Sequence, residues 1–301
     1  MNWNRLAVIG VLAASLLIAL SAEDKAAGQG GRFTIKIGSK NFTEQFVLAE
    51  MYAQALEAKG YQVERSINLG GTLIAHAAVA SGKIDMYPEY TGTALAAVVK
   101  GTISSDPDAV YKQVKEYYES KLDLTLLKPS KMNNGYILAL LPETAQRHRL
   151  KTLSDLAKVS KQLVLGAGPE WRDRDDGLPG LKRHYGIEFK EYRPMVIALK
   201  YQALKEKQVD VVNGFGTDGQ ISAMKLGRLT DDKNFWPPYR VAPVIRREIA
   251  RNYPGIVAIL NAVTDLLTDE DQSELNWRVD GLKEEPRDVA RDFLKKHGLA
   301  K

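Results

Sequence analysis

The stretch that decides the fold is "FTIKIGSKNFTEQFVLAEMYAQALEAKGYQVERSINL", residues 33–69. Its first six residues alternate apolar and polar side chains, as a half-buried strand does. The next segment, "TEQFVLAEMYAQALEAKG", has apolar residues at helical spacing and ends at Gly60, a common helix stop. "YQVERSINL" (61–69) predicts a second strand. Strand, helix and strand in this order indicate a parallel sheet flanked by helices.

The same alternation extends along the rest of the chain. "GTLIAHAAVASG" (71–82) predicts a helix and "KIDMYP" (83–88) a third strand. A second unit follows, with strands predicted at 133–141, 163–168, 187–194 and 209–215 and helices at 178–186 and 197–208. "YRVAPVI" (239–245) predicts one more strand, and helical segments run from there to the end. This last part is too small to stand alone, so we expect it to return and complete the first unit.

The pattern therefore predicts an α/β protein of two lobes with a cleft between them. We expect lobe I to comprise residues 32–131 plus 235–301, and lobe II residues 132–234. Clefts at domain interfaces and at the carboxyl ends of parallel strands are where ligands bind. The segments "PEYTGT", "GAGPEWRDRDDG" and "NGFGTDG" all follow predicted strands, so each is placed to line that cleft.

The N-terminus predicts an export signal. Residues 1–21 carry a single basic residue, Arg5, before an apolar run from Leu6 to Leu20, and small residues follow. A membrane anchor is the alternative, but the run is short for a spanning helix, which needs roughly 20 apolar residues. Residues 22–31 are small, polar and glycine-rich, which predicts a flexible leader.

Composition excludes several classes of function. The 301 residues include no cysteine, which rules out disulfides, thiolate metal sites, a cysteine nucleophile and a lipid anchor on an N-terminal cysteine. The formal net charge is +5, but basic and acidic residues are interspersed, and no basic stripe of the kind that binds nucleic acid is visible. We therefore predict a soluble periplasmic monomer that does not bind nucleic acid.

No catalytic motif stands out. The four histidines, His76, His148, His184 and His297, lie in predicted helices or helix ends, and none is spaced as a metal pair would be. There is no nucleophile elbow, phosphate-binding loop or dinucleotide fingerprint. We predict no catalytic residue, metal or cofactor. An enzyme on the same two-lobed architecture stays open as an alternative.

Aromatic residues occur instead near the predicted cleft edges, in both lobes: Tyr90, Tyr136, Phe215 and Tyr239. Each of them alone is more often core packing than a ligand contact. Together they indicate a binding site, because aromatic faces attract a cation that cannot donate hydrogen bonds, above all a quaternary ammonium.

Five segments carry a family resemblance: "IGSKNFTEQF", "PEYTGT", residues 168–181, "YQALKEKQVDVVNGFGTDG" and "PPYRVAP". Together they resemble the substrate-binding proteins of osmoprotectant ABC importers, which bind glycine betaine, choline, carnitine and related compounds. The resemblance implies a periplasmic-binding-protein fold of two α/β lobes joined by a hinge.

The resemblance also implies a ligand site, in which an aromatic cage lies beside a carboxylate clamp. The cage matches Tyr90, Tyr136, Phe215 and Tyr239, and the clamp matches Lys40, Thr93 and Arg174. The chain departs from the family at Phe215, where tyrosine is usual, and at Gly135, where threonine is common. From the residues alone, Lys40 could instead be a surface lysine, Arg174 could pair with Asp173, Asp175 or Asp176, and Phe215 could be core packing.

The implied function is capture of a betaine-type zwitterion, glycine betaine first, for delivery to the transmembrane subunits of an ABC importer. A betaine suits this set of residues, because its trimethylammonium end needs π faces and its carboxylate needs charge-assisted donors. Choline, carnitine or another cationic solute stays open as an alternative ligand. Since Thr93 is neutral, whereas an aspartate at that position would repel a carboxylate, we expect a preference for carboxylate-bearing ligands.

Overall fold

The computed structural model describes residues 33–300. The predicted signal peptide (1–21) and leader (22–31) lie outside the described residues. The described residues form ten strands in two five-stranded sheets, together with helices that flank them. Within the same residues, no helix is both long enough and apolar enough to cross a membrane.

The first sheet has the strand order β2-β1-β3-β10-β4. Its strands are β1 (Thr34–Gly38), β2 (Gln62–Ser66), β3 (Met86–Tyr90), β4 (Leu124–Leu126) and β10 (Val241–Arg246). Strands β1 and β3 are parallel, as the strand-helix-strand pattern predicts, while β10 runs antiparallel to both β3 and β4. Strand β10 comes late in the chain, but it lies between β3 and β4 in a sheet whose other four strands fall within residues 34–126.

Strand β3 differs from its prediction. The sequence predicted a strand over 83–88 with Tyr90 in the following loop, but the strand starts at Met86 and Tyr90 is its last residue. Proline cannot donate a ladder hydrogen bond, so it is disfavoured in the middle of a strand. In the sheet, Pro88 stands directly opposite Pro243 of β10, so both missing donors fall at one position of the ladder. Tyr90 therefore projects from a rigid strand.

The second sheet has the order β7-β6-β8-β5-β9. Its strands are β5 (Tyr136–Leu140), β6 (Val164–Ala167), β7 (Glu191–Pro194), β8 (Val211–Phe215) and β9 (Gly227–Leu229). Strand β6 is parallel to β7 and β8, and β5 is antiparallel to β8. Because Tyr136 pairs with Phe215 at the end of the β5–β8 ladder, two of the predicted cage residues leave the sheet side by side.

The helices that flank the two sheets account for most of the remaining chain. They are α1 (Thr43–Ala58), α2 (Thr72–Ala80), α3 (Thr91–Ala94), α4 (Pro107–Lys121), α5 (Pro142–His148), α6 (Leu153–Val159), α7 (Leu178–Tyr185), α8 (Lys200–Lys205), α9 (Gly219–Ala223), α10 (Arg247–Asn252), α11 (Pro254–Leu266), α12 (Asp269–Asp280) and α13 (Pro286–Lys296). Short 3₁₀ turns occur at Ser160–Gln162, Pro169–Arg172 and Ile197–Leu199, and a π-helical turn at Leu95–Val99. The boundaries of the two lobes stay a prediction.

Helix α1 is buried almost all round. It lies against the C-terminal helices α11, α12 and α13 as well as the first sheet. Most of its side chains are buried, including the polar Glu44 and Gln45 of its first turn. A helix covered on all sides needs no polar face, so polar residues that it does bury must find partners inside the protein. Glu44 finds such partners at the candidate site, and the Gln45 Oε1 accepts a hydrogen bond from the Lys40 backbone N–H at 3.1 Å.

Candidate functional site

One cavity lies where strand ends of the two sheets meet, with a volume of about 450 Å³ including its open mouth. All seven residues that the sequence selected line it: Lys40, Tyr90, Thr93, Tyr136, Arg174, Phe215 and Tyr239. The structure thus brings together residues that are spread over 200 positions of the chain, although their contact with a ligand stays a prediction.

The aromatic rings form a connected set around Tyr136. Its ring centroid lies 5.2 Å from that of Phe215, and 5.1 Å from that of Tyr239 in an edge-on arrangement. Tyr90 joins the set through Phe42, whose ring stacks on Tyr90 at 6.2 Å and on Phe215 at 5.7 Å. The cavity wall therefore presents π faces from both sheets, as binding of a large cation requires.

Phe42 is an aromatic wall that the sequence reasoning missed. It lines the same cavity and bridges rings that belong to different sheets. The signal was present, because Phe42 lies in the quoted motif "IGSKNFTEQF", two residues after Lys40. Phe42 directly precedes helix α1 and does not follow a predicted strand, so the strand pattern alone does not place it at the cleft.

Lys40 is buried, so its reading as a surface lysine is wrong. Only 2% of the residue is exposed, and its Nζ donates to the Glu89 carboxylate. Burial lowers the pKa of the Lys40 ammonium, and the charge of Glu89 opposes that shift. Nζ also lies 5.2 Å from the centre of the Tyr90 ring. An ammonium has three N–H donors, so Lys40 keeps donors for a ligand while it is paired with Glu89.

Arg174 makes the intramolecular pair that the sequence left open. Its Nε and Nη2 donate to the two carboxylate oxygens of Asp176 at 2.8 and 2.5 Å. Its guanidinium carbon lies 5.8 Å from the Tyr136 ring centre, and Nη1 lies 3.9 Å from Glu170. A guanidinium has five N–H donors, so the edge that carries Nη1 can still bind a carboxylate.

Two cage tyrosines are anchored through their hydroxyl groups. Tyr90 donates to Glu44 at 2.6 Å, and Tyr239 donates to Asp176 at 2.7 Å. Burial raises the pKa of both hydroxyls well above the usual range, and the neighbouring carboxylates add to the rise. Both hydroxyls therefore stay protonated, and each hydrogen bond fixes the direction of its ring.

Glu44 is the second group that the sequence reasoning missed. Besides Tyr90, its carboxylate accepts hydrogen bonds from Asn134 at 2.8 Å, from Asn276 at 2.9 Å and from the Thr217 hydroxyl. These four neutral donors match the four acceptor positions of a carboxylate. Burial raises the pKa of Glu44, and the hydrogen bonds from Thr217, Tyr90 and Asn276 oppose the rise.

Helix α3 places Thr93 beside Tyr90. This four-residue helix begins directly after β3, and the cavity-lining Thr93 is only 7% exposed. Gly92 lets the segment that precedes β10 approach closely. A Cβ at this position would lie 2.8 Å from the Pro238 carbonyl oxygen and 2.9 Å from the Tyr239 ring. The motif "PEYTGT" thus supplies a cage ring, a hydroxyl and a close contact with a second cage ring.

The described residues 33–300 hold no group of three or more histidine, cysteine, aspartate and glutamate side chains that could bind a metal ion. The cavity wall presents π faces, the two cations Lys40 and Arg174, and the Thr93 hydroxyl. Glu170 also lines the cavity, and Glu89 and Asp176, which do not line it, pair with Lys40 and Arg174.

The chain is similar in sequence to proteins of known function. Residues 33–296 match the family described as the substrate binding domain of the ABC-type glycine betaine transport system. The chain is 37% identical over 287 residues to the glycine-betaine-binding protein of Pseudomonas aeruginosa, with 91% of each chain covered. It is 34% identical to the carnitine transport binding protein OpuCC of Listeria monocytogenes, covering 90% of this chain and 89% of that one.

A further relative is a longer protein. The chain is 34% identical to the ergothioneine transport permease/ergothioneine binding protein EgtU of Helicobacter pylori. The match covers 87% of this chain but spans only 47% of that relative's length.

Solved structures agree with the fold. The crystal structure of a glycine betaine/carnitine/choline ABC transporter protein matches with a TM-score of 0.72 and 34% identity, over 88% of this chain and 99% of that one. A lactococcal OpuAC in a closed-liganded conformation, only 15% identical, shares the fold with a TM-score of 0.65. These matches confirm the predicted periplasmic-binding-protein type of fold.

Proposed function

The chain belongs to the family of substrate-binding domains of ABC-type glycine betaine transport systems, and from this premise we propose that its cavity captures a quaternary-ammonium zwitterion, glycine betaine first. Its part in transport is to bind the solute and deliver it to the transmembrane subunits of an ABC importer. It acts as a periplasmic monomer, exported by a cleaved signal peptide, and it has no catalytic role of its own.

The observation that carries this proposal is the composition of one cavity. Aromatic rings from both sheets surround it, and the side chains of Lys40 and Arg174 reach its wall. The trimethylammonium group would lie against the rings of Tyr90, Tyr136, Phe215 and Tyr239, where a desolvated cation–π contact is worth about 2 kcal/mol. The carboxylate would accept hydrogen bonds from the remaining donors of Lys40 and Arg174 and from the Thr93 hydroxyl.

Choline and carnitine are the alternative ligands within the same role. Choline has a hydroxyl in place of the carboxylate, so it leaves the donors of Arg174 without an anionic partner. One relative bears the name of an ergothioneine binding protein. Ergothioneine is itself a trimethylammonium carboxylate, so it belongs in the same panel of candidates.

Calorimetric titration with matched ligands tests the proposal. Glycine betaine should bind, and choline should bind more weakly because it lacks the carboxylate. The neutral-headed isostere 3,3-dimethylbutanoate keeps the shape and the carboxylate but lacks the positive charge, so it should bind far more weakly than glycine betaine. Equal affinity for the isostere would refute the cation–π cage, and tighter binding of choline would refute the clamp. Absence of binding by every betaine in the panel would refute the proposed ligand class.

A further inference from the structure

The motif "PEYTGT" contains one charged residue, Glu89, that does not reach the cage cavity. Tyr90 and Thr93 of the same motif line that cavity, whereas Glu89 does not line it and is 0% exposed. Successive side chains of a strand leave opposite faces of the sheet, so Glu89 of β3 points away from the face that carries Tyr90. Burying a carboxylate is costly unless it is paired, so its partners show what it is for.

Three donors in the described part of the chain hold the Glu89 carboxylate, and one of them is a cation. Its Oε1 accepts hydrogen bonds from the Lys40 Nζ and from the Tyr90 backbone N–H, the latter at 2.7 Å. Its Oε2 accepts one from the Tyr87 hydroxyl at 2.8 Å. Burial raises the pKa of Tyr87 well above its usual range, so this hydroxyl stays protonated and donates. Two donors on β3 thus fix the carboxylate beside Lys40.

Lys40 connects this carboxylate to the cavity. It lines the cavity, and both of its ends are held, since its backbone N–H donates to the Gln45 Oε1 at 3.1 Å and its Nζ donates to Glu89. The Tyr90 ring lies 5.2 Å from Nζ but adds no charge, because its hydroxyl stays protonated. The ammonium therefore has a fixed place at the cavity wall, with two N–H donors left for a ligand.

The charges around Lys40 make Glu89 the main group that keeps it charged. The charged and titratable groups that face its ammonium from other elements are Glu89 of β3, Arg174 and Glu170 of the segment after β6, and His76 of α2. Burial lowers the pKa of Lys40, and Arg174 adds to that shift. Glu89 opposes it more strongly than Glu170 does. Burial also lowers the pKa of His76, so this ring adds no charge at neutral pH.

Without Glu89, the Lys40 ammonium would be a buried cation beside a second cation, Arg174. A buried cation without a close counter-charge releases its proton instead of staying charged. A neutral amine cannot offer a charge-assisted hydrogen bond, so a ligand carboxylate would lose one of its two cationic donors. Capture of a zwitterion would then depend on pH.

We propose that Glu89 is a positioning residue for the carboxylate clamp: it holds the Lys40 ammonium charged and directed at the cavity, so that capture of a zwitterion does not vary with pH across the neutral range. This inference rests on the proposed function, because it needs a ligand carboxylate that Lys40 binds. It gives Glu89 a part in ligand binding although the residue touches no ligand.

The variant Glu89→Gln tests this role, because an amide keeps the shape and an acceptor oxygen but removes the charge. Glycine betaine is titrated calorimetrically at pH values from about 6 to about 9, where a lysine in water stays charged. Wild-type affinity should stay constant over this range. Affinity of Glu89→Gln should fall by about tenfold or more as Lys40 loses its proton, as loss of one charged hydrogen-bond partner allows. The same pH profile in both proteins overturns the proposal.

A merely structural role of Glu89 would give a different result. Distortion of β3 would weaken glycine betaine binding by the same factor at every pH. The double variant Lys40→Met/Glu89→Gln removes the amine that titrates, so its affinity should be low and constant with pH. A pH dependence that survives in the double variant belongs to another group, such as His76, and overturns the assignment to Lys40.

Glu50→Gln is the matched control. Glu50 is likewise buried, at 7% exposed, and its carboxylate pairs with Arg65 at 2.9 Å, but it lies on α1 and does not line the cage cavity. Affinity of Glu50→Gln for glycine betaine should equal that of the wild type at every pH. If it falls with pH as that of Glu89→Gln does, the effect is not specific to Glu89 and the proposal is overturned.

The wild type itself provides a test that does not depend on the folding of Glu89→Gln. In ligand-free protein with ¹³C-labelled lysine, the Cε resonance of Lys40 should show a protonated amine at a pH of about 9, and loss of that proton below a pH of about 8 overturns the proposal. Failure of the proposed function looks different, because the wild type would then not bind glycine betaine at any pH. If the wild type binds it and Glu89→Gln follows the same pH profile, only the role of Glu89 is wrong.

Discussion

At the scale of single residues, each cation of the site has a carboxylate partner before any ligand arrives. Asp176 accepts two hydrogen bonds from Arg174 and a third from the Tyr239 hydroxyl. Such a partner holds the guanidinium in one orientation, so less rotamer entropy is lost when a ligand binds. The same pairing lowers the net charge that a ligand carboxylate meets, which favours a zwitterion over a bare anion.

We predict that Arg174→Ala weakens binding of carboxylate-bearing ligands most. Loss of a charged hydrogen-bond partner should cost about 1.5–3 kcal/mol, or roughly 10- to 150-fold in affinity. Choline binding should change less, because choline has no carboxylate for the guanidinium to hold. Calorimetric titration of glycine betaine and choline measures both effects.

Arg172→Ala provides the matched control. Arg172 lies in the same 3₁₀ turn region, but it stacks on Tyr192, with 5.0 Å from its guanidinium carbon to the ring centre, and it does not line the cage cavity. It should leave affinity unchanged. If Arg174→Ala binds glycine betaine as tightly as the wild type does, Arg174 is no part of a carboxylate clamp.

We predict that Phe215 supplies one face of the aromatic cage. Its ring centroid lies 4.3 Å from the Lys200 Nζ, which also pairs with the Asp218 Oδ2 at 2.8 Å. Phe215→Ala removes a cage face and should weaken binding clearly, since a desolvated cation–π contact is worth about 2 kcal/mol. Phe215→Tyr keeps the face, so its affinity should be equal or modestly higher.

Melting temperatures separate this role from core packing. If Phe215 serves only as packing, Phe215→Ala lowers the ligand-free melting temperature by several degrees while affinity is unchanged. Phe215→Tyr would then also destabilise the protein by burying an unpaired hydroxyl. Either pattern would remove Phe215 from the cage.

What the sequence could predict at this scale depends on how far each residue's partner lies along the chain. Lys40 and Tyr90 stand in recognisable motifs beside strands, so their placement at the cavity was predictable. Glu44 lies in one of those motifs too, but its partner Asn276 is 232 positions away.

At the scale of elements, helix α3 and the segment before β10 fix the cage together. Thr91 donates its hydroxyl to the Pro238 carbonyl at 2.9 Å, and the Arg240 N–H bonds back to the Thr91 hydroxyl at 3.2 Å. The alternating pattern predicted eight of the ten strands that the described residues form, but it missed the three-residue strands β4 and β9 and ended β3 at Pro88. Because β10 pairs along the whole of β3, tertiary contact extends the strand past a residue that local propensity disfavours.

We predict that Gly92→Ala disturbs this junction. The backbone of Gly92 is helical, so an alanine is not strained there, but its Cβ would press on the Pro238 carbonyl at 2.8 Å and the Tyr239 ring at 2.9 Å. A backbone oxygen cannot move aside easily, so the segment must shift. We expect a loss of about 1–3 kcal/mol of stability and weaker ligand binding.

Gly227→Ala is the control for this change. Gly227 begins β9, and its added Cβ would meet nothing closer than 3.5 Å, an ordinary van der Waals distance. Melting temperature and glycine betaine affinity should fall in Gly92→Ala and stay close to wild type in Gly227→Ala. Equal behaviour of the two variants would mean that the close contact at Gly92 does not position Tyr239.

At the scale of the whole molecule, the Glu44 carboxylate joins parts of the chain that belong to both sheets. Its donors come from β3, from the segment before β5, from the segment after β8 and from α12. Thr217 also donates its backbone N–H to the Asn134 side-chain oxygen at 3.3 Å. This network fixes Tyr90 relative to the second sheet, so we expect Glu44→Gln to weaken ligand binding even though Glu44 does not line the cage cavity.

We predict that this network makes the stability of the protein depend on pH. Burial, reinforced by the charge of Asp218, raises the pKa of Glu44 in the folded protein, whereas a glutamate in the unfolded chain titrates near about 4.3. The folded state then binds the proton more tightly, so the stability that this site adds is largest in acid and falls as pH rises through the folded pKa. Glu44→Gln cannot titrate. The unfolding free energy of the wild type relative to Glu44→Gln, measured by urea denaturation, should therefore increase as pH falls from about 7 to about 5.

Glu188→Gln is the control with the opposite sign, because the hydrogen bond from Lys182 lowers the pKa of Glu188. The wild type should therefore lose its stability advantage over Glu188→Gln in acid. A wild-type advantage over Glu44→Gln that stays constant or shrinks in acid would show that this carboxylate does not carry its charge at a cost inside the fold.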